Sequence, residues 1–208
     1  MPQSERGRFI VFEGIDGSGK STQIKLLCDR LKAAGRKVYL TAEPTSSVTG
    51  GLLRDALSGV AKRTGYELAA LFLLDRINHN VNPVNGIEVM LERGYDVICD
   101  RYYYSSLAYQ GSEVDFEWVK NMNLNCREIR MPDACIFLDL DPDSAMERIG
   151  SDRAVTEIYE KKSKLESIRN KYFSLFSCLD EKENIKIVDA TKSIDEIAQK
   201  IFDEIGKI

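Results

Sequence analysis

Short apolar runs alternate along this chain with stretches whose apolar positions recur every three or four residues. Arg8-Phe9-Ile10-Val11-Phe12-Glu13 is nearly continuous in apolar character and predicts a buried strand. Lys20 to Ala34 carries Ile24, Leu26, Leu27 and Leu31 at helical spacing and stops at Gly35. Further strands are predicted at Lys37–Thr41, Tyr95–Asp100, Ala134–Leu140 and Ile185–Asp189. Helices are predicted at Gly51–Leu57, Glu67–Ile77, Ile87–Glu92, Ser105–Tyr109, Phe116–Leu124 and Ile194–Ile205, with a charged helical region from Ser144 to about Cys178. Five strands separated by helices predict an α/β fold: a five-stranded parallel sheet with helices on both faces. Right-handed crossovers then place a ligand at the carboxyl ends of the strands.

Between the first strand and the first helix lies Gly14-Ile15-Asp16-Gly17-Ser18-Gly19-Lys20-Ser21, with Thr22 directly after it. This matches G-x-x-x-x-G-K-[ST] at every required position, in the strand–loop–helix context that the motif needs. Glycines let backbone N–H groups crowd around phosphate oxygens, and Lys20 reaches the β/γ-phosphates. Ser21 offers a hydroxyl to Mg²⁺, and the helix points its positive end at the anion. These nine residues are the candidate ATP-binding set.

At 208 residues the chain predicts a single domain with a substantial core. No run of eighteen apolar residues is present, and the polar stretch from Met1 to Gly7 lacks a signal-peptide core, so a cytoplasmic protein is expected. A net charge of −4 argues against non-specific nucleic-acid binding. Five cysteines, odd in number and without a C-x-x-C pair, read as reduced thiols. His79 is the only histidine, and between two asparagines it reads as a partly exposed helix-end residue without a partner.

A phosphate loop alone leaves GTPase, motor ATPase and small-molecule kinase open. The N-K-x-D string of a guanine reader is missing: Asn170-Lys171-Tyr172-Phe173 lacks the acid. The chain is also short for a motor, so a small-molecule kinase is favoured. Val97-Ile98-Cys99-Asp100 ends a strand in a carboxylate suited to organising Mg²⁺, with Arg101 next to it. Phe72 and Arg76 stand four residues apart on one helical face, a ring that can stack a base beside a guanidinium that can reach its edge or a phosphate.

Several segments together resemble the thymidylate kinase (dTMP kinase) family of nucleoside monophosphate kinases. They are Phe12 to Thr22, Glu43-Pro44, Phe72 to Arg76, Asp100-Arg101-Tyr102 with Ser105 to Gly111, and Phe137 to Pro142. The resemblance implies transfer of a phosphoryl group from ATP to dTMP, with Mg²⁺ and a homodimer. It implies that Asp16 bonds the 3′-hydroxyl of dTMP, Phe72 stacks on thymine, Arg76 meets the base edge and Arg101 holds the acceptor phosphate. Ser105 and Gln110 would lie near base and sugar, Glu43 among the acceptor-site residues, and Tyr109 against the deoxyribose. Asp100 would join Ser21 at the metal.

Two departures from the family pattern matter. The position after Asp16, where some members carry a catalytic arginine, is Gly17. The missing cation is then expected from a lid around 149–156, with Arg153 first and Arg148 second. Such an arginine is worth roughly 10³–10⁵ in rate in phosphoryl transfer. Many relatives also carry Thr-Arg-Glu-Pro after the second strand, where this chain has Thr41-Ala42-Glu43-Pro44, so any phosphate contact that arginine makes is either absent here or supplied by Arg76, Arg101 or Arg54. Two rivals stay open at this stage: a kinase for UMP or dUMP, and a nucleotide-binding regulatory module without turnover.

Overall fold

The computed structural model describes residues 6–150, 162–179 and 181–208. Its strands are β1 (Phe9–Glu13), β2 (Lys37–Ala42), β3 (Tyr95–Asp100), β4 (Ala134–Asp139) and β5 (Ile185–Asp189). They form one sheet in the order β2-β3-β1-β4-β5, parallel at every pairing. The described helices are α1 (Lys20–Ala33), α2 (Val48–Leu57), α3 (Gly65–Val81), α4 (Ile87–Glu92), α5 (Tyr103–Tyr109), α6 (Phe116–Leu124), α7 (Pro142–Gly150), α8 (Lys162–Cys178) and α9 (Ile194–Ile205). A 3-10 turn, Gln110–Ser112, extends α5, and a second, Glu181–Glu183, precedes β5.

β1 lies at the centre of the sheet because all five of its residues are buried, with helices covering both faces. Phe9, Phe12, Val97, Ile98, Phe137 and Leu138 form the middle of the core. The connection after β1 runs toward the β2 edge and the one after β3 runs to β4 on the other side of β1, so a crevice opens outside the carboxyl ends of these two neighbours. Register brings the functional tips level there: Phe12 pairs with Asp100, Glu13 with Phe137, and Ala42 with Asp100. At the other end of β3, Asp96 is wholly buried and is gripped by Arg8 and Arg36, at 2.9 and 2.7 Å.

Several helices start earlier than the apolar spacing predicts, and polar caps explain two of them. α2 begins at Val48 because the Ser47 hydroxyl accepts from the Gly50 amide. α3 begins at Gly65 because Thr64 and Glu67 form a reciprocal capping box. The charged region after Ser144 comprises α7 and α8; residues 151–161 between them, and therefore Arg153 and most of the expected lid, lie outside the described residues.

Candidate active site

The phosphate loop takes its shape from positive-φ glycines at 14, 17 and 19. Gly17 has a second constraint: a Cβ there would come 2.6 Å from the Ala145 carbonyl oxygen at the start of α7. The loop is seated on α7, and this backbone has no space for a side chain after Asp16. Lys20 is buried and donates to the carbonyls of Gly14 and Ile15, at 3.0 and 3.2 Å. Burial lowers its pKa, and the nearby Arg101 adds to the effect. Ser21 and Thr22 are exposed at the start of α1.

Arg101 adopts φ 67, a left-handed conformation that turns its side chain back over the loop. Its Nη2 donates to Asp16, and its Nη1 donates to Ser105 Oγ at 3.1 Å. Its guanidinium lies 5.4 Å from the centre of the Tyr109 ring. Asp16, Arg101, Ser105 and Tyr109, named separately from sequence, thus form one cluster. Tyr109 is buried, and burial pushes its hydroxyl up to about 12. Gln110 is buried at the start of the 3-10 turn.

A second cluster surrounds Arg76, which is 1% exposed. Its Nε and Nη2 both meet Glu43 Oε2, at 2.9 and 2.7 Å. Nη2 also donates to Ser106 Oγ at 3.1 Å, and Nη1 donates to Asn123 Oδ1. Four of the five guanidinium N–H groups therefore have protein acceptors, leaving one on Nη1. Glu43 itself is buried between Arg76 and His79, and its carboxylate is engaged by both. Phe72, one turn earlier on α3, is half-buried and stands outside the core cluster.

His79 departs from expectation. It is buried, with Nδ1 3.0 Å from Glu43 Oε1 and Nε2 2.7 Å from Thr41 Oγ1. The asparagines beside it in sequence suggested solvent, but the helix turns its ring inward onto β2. Adjacent Asp75 was not singled out from sequence. Its carboxylate accepts from the Thr45 amide and from the hydroxyls of Thr45, Ser47 and Thr49, at 2.6–3.0 Å. Burial works against its charge, but those hydrogen bonds outweigh burial and hold its pKa below the ordinary value. Consecutive residues of α3 thus clamp the segment that runs from Glu43 into the first turn of α2 at Thr49. Arg54 donates to the Pro44 and Thr45 carbonyls, so it too braces this loop.

A cavity of about 880 Å³ opens beside these groups, with Ser21, Thr41, Ala42, Thr45, His79 and Asp100 among its lining. Asp100 Oδ1 is buried there and has no hydrogen-bond partner among the described residues. An unsatisfied carboxylate oxygen sharing a cavity with the Ser21 hydroxyl fits a hard divalent cation. Arg148 is exposed on α7; its Nη2 donates to the Ala190 carbonyl at 3.1 Å, and its Nη1 lies beside Gly19. That places it against the Gly19 side of the loop.

A glycine loop of the phosphate-binding type at the carboxyl end of a parallel sheet, facing the clusters built on Arg101 and Arg76 beside a half-buried aromatic, fits a phosphate-loop kinase for a small acceptor. Comparison with known sequences narrows the class. The sequence model of the Thymidylate kinase family matches residues 12–201. A probable thymidylate kinase of Methanocaldococcus jannaschii is 38% identical over 202 residues, covering 96% of each chain. One from Methanococcus aeolicus is 39% identical, covering 95% of each. A thymidylate kinase of Leptospira borgpetersenii is 37% identical, covering 96% of this chain and 93% of its own. The chain belongs to the thymidylate kinase family.

Proposed function

We propose that this protein is a single-domain kinase that transfers the γ-phosphoryl group of ATP to dTMP, giving ADP and dTDP for nucleotide biosynthesis. The observation that carries the reading is the Asp16–Arg101 pair, which joins the phosphate loop to the acceptor cluster. A phosphate oxygen of dTMP forms the new bond to the γ-phosphorus as the bond to the β-bridging oxygen breaks. That oxygen is already anionic, so no general base is needed, and catalysis is alignment and charge neutralisation.

Lys20 leaves the loop carbonyls for the phosphates when the donor binds. Arg101 holds the acceptor phosphate, and Asp16 accepts from the 3′-hydroxyl. Phe72 stacks on the base, while the remaining N–H of Arg76 meets its edge. Tyr109 backs the sugar, where its bulk disfavours a 2′-hydroxyl, and Ser105 and Gln110 complete the wall. Ser21 and Asp100 would hold Mg²⁺, which when bound supplies charge neutralisation at the phosphates. With position 17 sterically closed, the further cation comes from the lid, with Arg153 in that role and Arg148 serving the donor side.

The exposed side of α3 presents Tyr66, Ala70, Leu74 and Val81, an apolar stripe that supports a homodimer through this helix. No described helix is long and apolar enough to cross a membrane, and we place the protein in the cytoplasm. Initial rates on dTMP, dUMP, UMP and AMP with Mg-ATP test the reading. A strong preference for dTMP is expected; preference for UMP or AMP, or nucleotide binding without dTDP formation, would overturn it.

A further inference from the structure

Glu13 ends β1 one residue before the phosphate loop and is wholly buried. Among the described residues it forms no ion pair, yet its oxygens are fully served. Oε1 accepts from the backbone amides of Tyr102 and Ser105, at 2.8 and 3.2 Å. Oε2 accepts from Ser105 Oγ at 2.7 Å and from Tyr172 Oη at 2.8 Å. Burial pushes its carboxyl pKa up, and the field of Arg101 with these hydrogen bonds opposes that rise.

The donors come from different parts of the fold. Tyr102 and Ser105 belong to the segment that leaves β3 and opens α5, whereas Tyr172 belongs to α8. Ser105 has a single O–H, and Glu13 receives it, so the lone pairs of Ser105 face the other way, toward Arg101 Nη1. Tyr172 Oη lies 3.0 Å from the same Ser105 oxygen. The carboxylate therefore sets the orientation of the hydroxyl that receives Arg101, and the same oxygen fastens α8 to that point.

We propose that Glu13 is a positioning residue for phosphoryl transfer. Through Ser105 it holds Arg101 over Asp16, and through Tyr172 it makes that geometry depend on the seating of α8. It touches neither substrate. The proposal rests on Arg101 gripping the acceptor, as argued above.

Glu13→Gln keeps the size of the side chain but removes its charge and replaces one acceptor oxygen by a donor. It is expected to lower kcat/KM for dTMP about a hundredfold, the scale of a lost buried charge-assisted hydrogen bond. Because that variant can also unfold the core, Tyr172→Phe is the sharper probe, deleting one hydroxyl on α8. It is expected to lower kcat/KM for dTMP about tenfold while leaving KM for ATP unchanged. In a Ser105→Ala background the same substitution should have almost no further effect, since the shared path is already cut. A Tyr172→Phe enzyme with lowered melting temperature but kcat/KM for dTMP within about twofold of the parent, or effects that multiply fully in the double variant, would overturn the proposal. Arg101→Lys tests the underlying reading separately: unchanged kinetics toward dTMP would remove Arg101 from the acceptor site, whatever the Tyr172 result.

Discussion

Glu43→Gln examines the support beneath the acceptor site. The substitution is nearly isosteric, but it removes the negative charge that meets Arg76 at 2.7 Å and His79 at 3.0 Å in a buried setting. Breaking a buried pair by removing one partner costs about 3–5 kcal/mol. The lower end applies, because the amide oxygen still accepts one N–H and Asn123 and Ser106 still hold Arg76. For a chain of this length, about 3 kcal/mol corresponds to a fall of about 6–12 °C in melting temperature. Calorimetric unfolding reads that directly, and a coupled ADP-release assay reads the site. KM for dTMP should rise about tenfold as Arg76 loses its fixed orientation, with KM for ATP unaltered. A melting temperature within about 2 °C of the parent together with unaltered KM for dTMP would refute the argument.

Other consequences follow from the same geometry. Burial alone would raise the pKa of Asp96, but hydrogen bonds from Arg36 and Arg8 bring it down from 3.8 to about 2. A depressed folded-state pKa stabilises the fold above the unfolded value, here by about 2.5 kcal/mol at neutral pH. That contribution is lost as pH falls through the window from 3.8 to about 2; denaturant titrations across it should show the loss in the parent and little of it in Asp96→Asn. Gly17→Ala should weaken ATP binding and lower stability by at least about 1 kcal/mol, because φ is 82 and the new Cβ would strike the Ala145 carbonyl; equilibrium unfolding and nucleotide titration measure both. Arg153→Ala should lower kcat at least about a hundredfold with little change in either KM, whereas Arg148→Ala should act mainly on KM for ATP. Steady-state kinetics with each substrate varied separate the two arginines.

The place and backbone shape of the glycine loop were readable because they are local: glycines, a lysine and a hydroxyl all come from one short segment between a strand and a helix. Asp100 and Arg101 were readable for a similar reason, since a charged pair ending an apolar strand already marks the carboxyl edge of a parallel sheet. Phe72 and Arg76 declared themselves by helical spacing, although only the fold shows that Arg76 is buried and held by Glu43. His79 was misjudged because local polarity suggested solvent, while the turn of α3 against β2 seals it between Thr41 and Glu43.

Asp75 and Glu13 carried weak signals: one adjoins a residue already singled out, and the other is a lone acid at the end of an apolar strand. Asn123 and Tyr172 carried none. Their partners lie 47 and 159 residues away in the chain, and no periodicity encodes a contact at that separation. Sequence by itself determined the elements, their alternation and the glycine loop between β1 and α1, because each depends on neighbours within a turn or a strand. The tertiary structure alone decided which carboxylates are satisfied from inside the protein and which, like Asp100, keep an oxygen open toward a cavity. That distinction depends on desolvation and on donors that only packing brings together.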